Sequence, residues 1–127
     1  MTKITLAHNP TFSASVALPR VGHAPLEVQF EFRYLDRLAL AKLFDEWSEA
    51  RDALIAQAKE EDISWATMTA EEIRFQAEQL KAIVLGWDLD DPFDDAALHT
   101  LVQTCTGAPK AVIDAYQSAY APARLGN

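Results

Sequence analysis

The chain has 127 residues, half of them hydrophobic and 24% charged, with a formal net charge of −8. That is about one domain's length, enough to bury roughly two-thirds of the unfolded surface, and the balance is globular rather than disordered or fibrous. The negative charge argues against nucleic acid, whose binding depends on neutralising phosphates. No apolar run approaches the ~20 residues a bilayer requires, and the start Met-Thr-Lys-Ile-Thr-Leu is too polar for a signal peptide, so a cytoplasmic location is expected.

The acidity is uneven. Up to Leu35 three basic and two acidic residues nearly cancel, whereas from Asp36 onward eight basic residues stand against seventeen acids. Such a helical half suits solubility and a basic protein partner. Cys105 is the single cysteine, which leaves no internal disulfide and no thiolate metal site. Its spacing from Leu98, Leu101 and Val102 reads as a small buried hydrophobe in a helix.

In chain order, Phe12 to Leu18 and Leu26 to Arg33 read as strands. In the second, Leu26, Val28, Phe30 and Phe32 alternate with Glu27, Gln29, Glu31 and Arg33, the period of a strand with one buried face. Pro19 to Pro25 between them is turn-rich, so a β-hairpin or small meander is expected, packed on helices because a lone hairpin is barely stable. Ile4 and Leu6 are candidates for an additional strand.

From Asp36, a candidate N-cap, the period becomes helical. Leu40, Leu43, Phe44, Trp47, Leu54, Ile55 and Ala58 form one stripe of a long helix that ends near Lys59-Glu-Glu-Asp62, where acids oppose the macrodipole. Ile63 to Met68 follows as a short connector holding Trp65, for which a plug over the core is favoured above a contact for another chain. Thr69-Ala-Glu-Glu72 has the form of a capping box. The helix it opens carries Ile73, Ala77, Leu80, Ile83 and Val84 and is expected to stop at Gly86 in a left-handed cap, with Trp87 folding back over the last turn.

The stretch Ile83 to Asp95 joins apolar Ile83, Val84, Leu85 and Trp87 to aspartates at 88, 90, 91, 94 and 95. Asp94 is the expected N-cap of the next helix, with Phe93 set to staple against Leu98, and Asp95 favours the dipole. Asp88, Asp90 and Asp91 remain without a helix-starting task. A calcium loop is disfavoured, because Pro92 interrupts it and the distant bidentate Glu is missing. Thr106 to Pro109 breaks this helix and starts the last, on which Val112, Ile113, Tyr116 and Tyr120 share a face; past Pro122 a loose tail is expected. The sum is an α+β, mainly helical chain: an N-terminal β-hairpin or small meander (1–35) on a bundle of about four helices (36–121), with a flexible tail (122–127), in one domain.

Enzyme chemistry finds no foothold. His8, His23 and His99 pair with no second ligand at helical spacing, and no nucleophile elbow or glycine-rich phosphate loop occurs among only four glycines. Neither a catalytic site, a metal nor a cofactor is expected.

The order of elements resembles a known family. The residues that carry the likeness are Leu43-Phe44-x-x-Trp47 on the long helix, Val84-Leu-Gly-Trp-Asp88 with Asp91-Pro92-Phe93, Gly107-Ala-x-x-Ala-x-x-x-Ala-Tyr116, and the closing Arg-Leu-Gly-Asn. Together they resemble the tail assembly chaperones of long-tailed bacteriophages and prophages across nearly the whole chain. The resemblance implies a non-catalytic protein, absent from the finished virion, that keeps the tape-measure protein soluble and helps recruit tail-tube subunits. It also implies a longer form made by a minus-one ribosomal frameshift. Leu125-Gly126-Asn127 permits this, since a leucine codon ending in G, then GGA, then AAC or AAU spells a slippery heptamer.

Apolar surface for a helical client and net charge for solubility suit that role. The candidate partner-binding residues are Trp65, Met68, Trp87 and Asp88, with a core position as the alternative, favoured for Trp47 and Trp87. Self-association into a homo-oligomer is expected. The competing readings are a head-tail connector or tail completion protein that forms a ring, and a small regulator acting through its acidic helices.

Overall fold

In the computed structural model, which describes residues 10–60 and 62–124, the elements run β1 (Thr11–Arg20), β2 (His23–Arg33), α1 (Arg37–Glu60), α2 (Trp65–Ile83), β3 (Val84–Trp87), α3 (Asp95–Thr104) and α4 (Ala108–Arg124). The expected α+β, mainly helical architecture is present. The suggested strand at Ile4 and Leu6 and the tail Leu125 to Asn127 lie outside the described residues.

β1 and β2 pair antiparallel with Val16 opposite Val28 and Phe12 opposite Phe32. Alternation does what its period requires. Val16, Leu18, Val28, Phe30 and Phe32 are buried, while Ser13, Ser15, Glu27, Gln29 and Glu31 face water. Val21 and Gly22 make the turn, and Gly22 has φ 74, a left-handed value that glycine takes without a Cβ clash. Pro19 and Pro25 fall where the register shifts beside this turn, a place where a missing N–H is tolerated.

A third strand comes from mid-chain, within the stretch expected to be helical. α2 ends at Ile83, Val84 is extended, and Val84–Trp87 pairs antiparallel with β2, giving the sheet order β1-β2-β3. Gly86 therefore lies in a strand opposite Glu31 rather than in a left-handed helix cap. A short apolar run such as Ile-Val-Leu-Gly-Trp fits a helix end or a strand equally by periodicity; the open edge of β2 decides for the strand. Asp88 locks the pairing from both sides: its N–H donates to the Gln29 carbonyl at 3.1 Å, and its Oδ1 accepts from the Gln29 N–H at 2.8 Å.

The helix starts show one agreement at each of Asp36 and Asp94, and one correction. Asp36 Oδ1 accepts from the Ala39 N–H, and Asp94 Oδ1 from the Ala97 N–H. α2 begins a turn before the expected capping box, because Ser64 accepts from the Thr67 N–H and serves as N-cap itself. With that start, Met68 on the first turn of α2 lines a shallow cavity together with Leu54 and Ile55 of α1. At the other end α4 continues through Pro122 to Arg124, so the loose tail does not begin there. Cys105 is the C-cap of α3 rather than a residue within it; half-buried, its thiol donates to the Pro19 carbonyl at 3.1 Å.

The core lies between the sheet's inner face and α2, α3 and α4. Phe30, Phe32, Leu80, Ile83 and Val112 have no exposed surface; each such burial contributes about 1.5–3 kcal/mol. Gly107 lets α4 meet β1, since a Cβ there would sit 2.8 Å from Pro19 Cγ. Tyr116 packs edge-on against Phe32 at 5.2 Å, and its hydroxyl donates to the Arg33 carbonyl at 3.0 Å. Tyr120 stacks on Tyr34 and donates to the Leu35 carbonyl at 2.6 Å. The last helix thereby holds the exit of β2.

Burial pushes the Tyr116 phenol up from 10.0 to about 12, and the neighbouring Tyr120 adds to the shift. A phenol raised in the folded state contributes full stability below the unfolded value, and that contribution is lost as pH rises through the folded one. Urea titrations should therefore show stability level up to about pH 10 and falling from there to about pH 12. Tyr116→Phe should remove that share of the loss and cost about 1 kcal/mol at neutral pH through the missing hydrogen bond.

Candidate partner-binding surface

The four candidate residues fall in two places. Trp87 and Asp88 belong to the sheet and the turn that follows it. The Trp87 ring meets Phe30 at 5.9 Å and Phe93 at 5.0 Å, both edge-on, and its indole N–H donates to the Asp91 carbonyl at 2.7 Å. The Asp88 carboxylate is engaged by Gln29. Both carry contacts that fix the fold locally.

Trp65 and Met68 lie on the first turn of α2. Trp65 is 91% exposed, which overturns its reading as a plug over the core. With Ser64 as N-cap, Trp65 is the first residue of α2. Met68, one turn on, is half-buried against Leu54 and Ile55.

The rest of α1 shares this character. None of its residues is buried. Leu40, Leu43 and Trp47 pack partly on the core, so the core reading of Trp47 holds only in part. Leu38 is 65% and Ile55 44% exposed. These two were not singled out from the sequence as surface residues. Phe75 of α2 lies between the helices, with the Arg51 guanidinium 5.9 Å from its ring centroid on one side.

The acidic turn is mostly structural. Asp94 caps α3, and Asp95 pairs with Lys81 at 3.0 Å; the bond to Asp95 raises the Lys81 pKa in an exposed setting. Asp90 and Asp91 are exposed. Among the described residues no group of three or more His, Cys, Asp or Glu side chains could hold a metal ion, and no helix is long and apolar enough to cross a membrane. His23 and His99 are exposed, and His8 lies outside the described residues.

The two places should respond differently to truncation. Trp65→Ala should leave the unfolding free energy within about 0.5 kcal/mol of the parent, as exposed positions do. Asp88→Ala should cost about 1 kcal/mol by releasing the Gln29 N–H from β3. Thermal and urea unfolding of both variants checks this pair; equal losses would contradict the assignment.

A family model described as phage tail assembly chaperone matches residues 1–127. Neither the curated proteins nor the solved structures gave a match to this chain. The match spans the whole chain: the chain belongs to the phage tail assembly chaperones, a family whose role is in tail assembly with protein partners.

Proposed function

We propose that this chain binds the tape-measure protein, keeps it soluble while the tail is built, and helps recruit tail-tube subunits. The observation that carries the reading is the exposure of Trp65 at 91% beside half-buried Met68, at the end of a helix pair whose first helix buries no residue. A long helical client offers amphipathic turns, and helix-in-groove recognition places such turns on a surface of this kind. The net charge of −8 keeps a holder with exposed apolar side chains dispersed. In this reading the protein works in the cytoplasm of the host as a homo-oligomer, with a longer frameshifted form beside it, and leaves before the virion is complete.

The test is co-expression with the tape-measure protein of the same phage. The parent chain should move most of the tape-measure protein into the soluble fraction and co-purify with it. Trp65→Ala should lower the co-purified amount several-fold without changing the melting temperature. An insoluble client in the presence of the parent chain, or recovery of the chain in purified virions at tube stoichiometry, would contradict the role.

A further inference from the structure

The two sides of the α1/α2 pair differ. On the Arg51 side, the guanidinium lies over Phe75, with Ile55 and Met68 nearby. On the other, a groove of about 440 Å³ runs between the helices, with Ala50, Ala53, Leu54 and Phe75 among its lining. Small side chains on α1 let a third helix approach closely, since interaxial distance follows the size of the side chains at the contact. Leu54 and Phe75 supply the apolar floor.

The rim of that groove is acidic. Glu71 and Glu78 line it on α2, and the one cation there, Arg74, lies 3.6 Å from Glu71. On α1, Glu46 stands four residues before Ala50 and Glu60 three after Gln57, so helical spacing sets both on the same face, and both are exposed. Lys42, four residues before Glu46, is the cation of α1 on that row, and it lies outside the lining of the groove. A second copy of the chain would bring another −8 to this surface, which like-charge repulsion opposes. The complementary occupant has an apolar stripe and positive flanks.

We infer that the Ala50/Ala53 groove seats a basic-flanked amphipathic helix of a partner protein, about four turns long, completing a three-helix bundle with α1 and α2. This rests on the chaperone reading for the identity of the partner and adds to it the side of the helix pair, the conformation and the charge of the bound segment. Apolar contact with Leu54 and Phe75 gives affinity, and Glu46, Glu60, Glu71 and Glu78 select the sign of the flanks. Salt should weaken the preference, because the rim is exposed.

The probe is a synthetic helical peptide of about 20 residues, ~30 Å long, with leucines at helical spacing and lysines on both flanks, compared with the same peptide carrying glutamates. The parent protein should bind the lysine form at least tenfold more tightly in calorimetric titration at low salt. Ala53→Arg should lose at least tenfold in affinity for it while keeping its circular dichroism and melting temperature. The rim variant Glu71→Lys/Glu78→Lys, which does not alter the floor, should shift the preference toward the glutamate form. Equal binding of the two peptides by the parent, or unchanged binding by both variants, would overturn the inference. So would an Ala53→Arg protein whose oligomer mass drops while its peptide affinity stays, since the groove would then be an interface between copies. Co-expression separates this from the chaperone role: a soluble client with the parent and equally with Ala53→Arg removes the groove and leaves the role intact.

Discussion

The structure depends on the central place of β2. Its inner face carries Val28, Phe30 and Phe32, nearly or wholly without exposure, and it is flanked by β1 on one side and β3 on the other. A two-stranded hairpin could not shield those rings. They are covered because α2 delivers β3 to the free edge, where Asp88 and Gln29 exchange hydrogen bonds, and because α4 brings Tyr116 against Phe32 and Phe12. The hairpin and the helical half thus share one cluster of buried side chains. The acidic turn follows from the same constraint: once β3 is paired, Trp87 lies over Phe30 and the chain must reverse at Asp88 to Pro92 to begin α3.

Against that well-covered region, the α1/α2 pair is built differently. The C-terminal half of α2 buries Leu80 and Ile83, whereas its first turns and all of α1 reach only partial cover. α1 packs chiefly on α2. A helix whose apolar stripe is left half-exposed gains less from folding than it would in a closed bundle. The same feature leaves apolar area for association, which is the requirement of a protein that holds another in solution. Acidic residues interleaved with the apolar ones restrain indiscriminate aggregation and favour partners of opposite charge.

Much of this was legible in the residues. Alternation from Glu27 to Arg33, the N-caps Asp36 and Asp94, the break before α4 and the shared face of Val112 and Tyr116 are local rules with local outcomes found in the fold, whereas Leu26, expected on the buried face, is exposed beside the hairpin turn. The family likeness rested on short motifs spread along the chain, and it holds over residues 1–127. For the candidate surface, Trp65 and Met68 could be picked out as apolar residues in excess of a regular stripe, but their setting could not.

The rest was decided in three dimensions. Ser64 and Thr69 are both competent N-caps, and the fold uses the first. Gly86 has the identity of a helix terminator, yet the free edge of β2 draws Val84–Trp87 into a strand before that glycine is reached. The stripe on α1 fixes that one face is apolar, but whether that face is buried depends on how many elements remain to cover it. β3 and α4 are committed to the sheet and α3 to α2 and α4, so α1 packs chiefly on α2, and Trp65 at the head of α2 is left in water. Helix, cap and turn follow from neighbours in sequence; which apolar residues stay uncovered follows from the limited number of surfaces available to cover them.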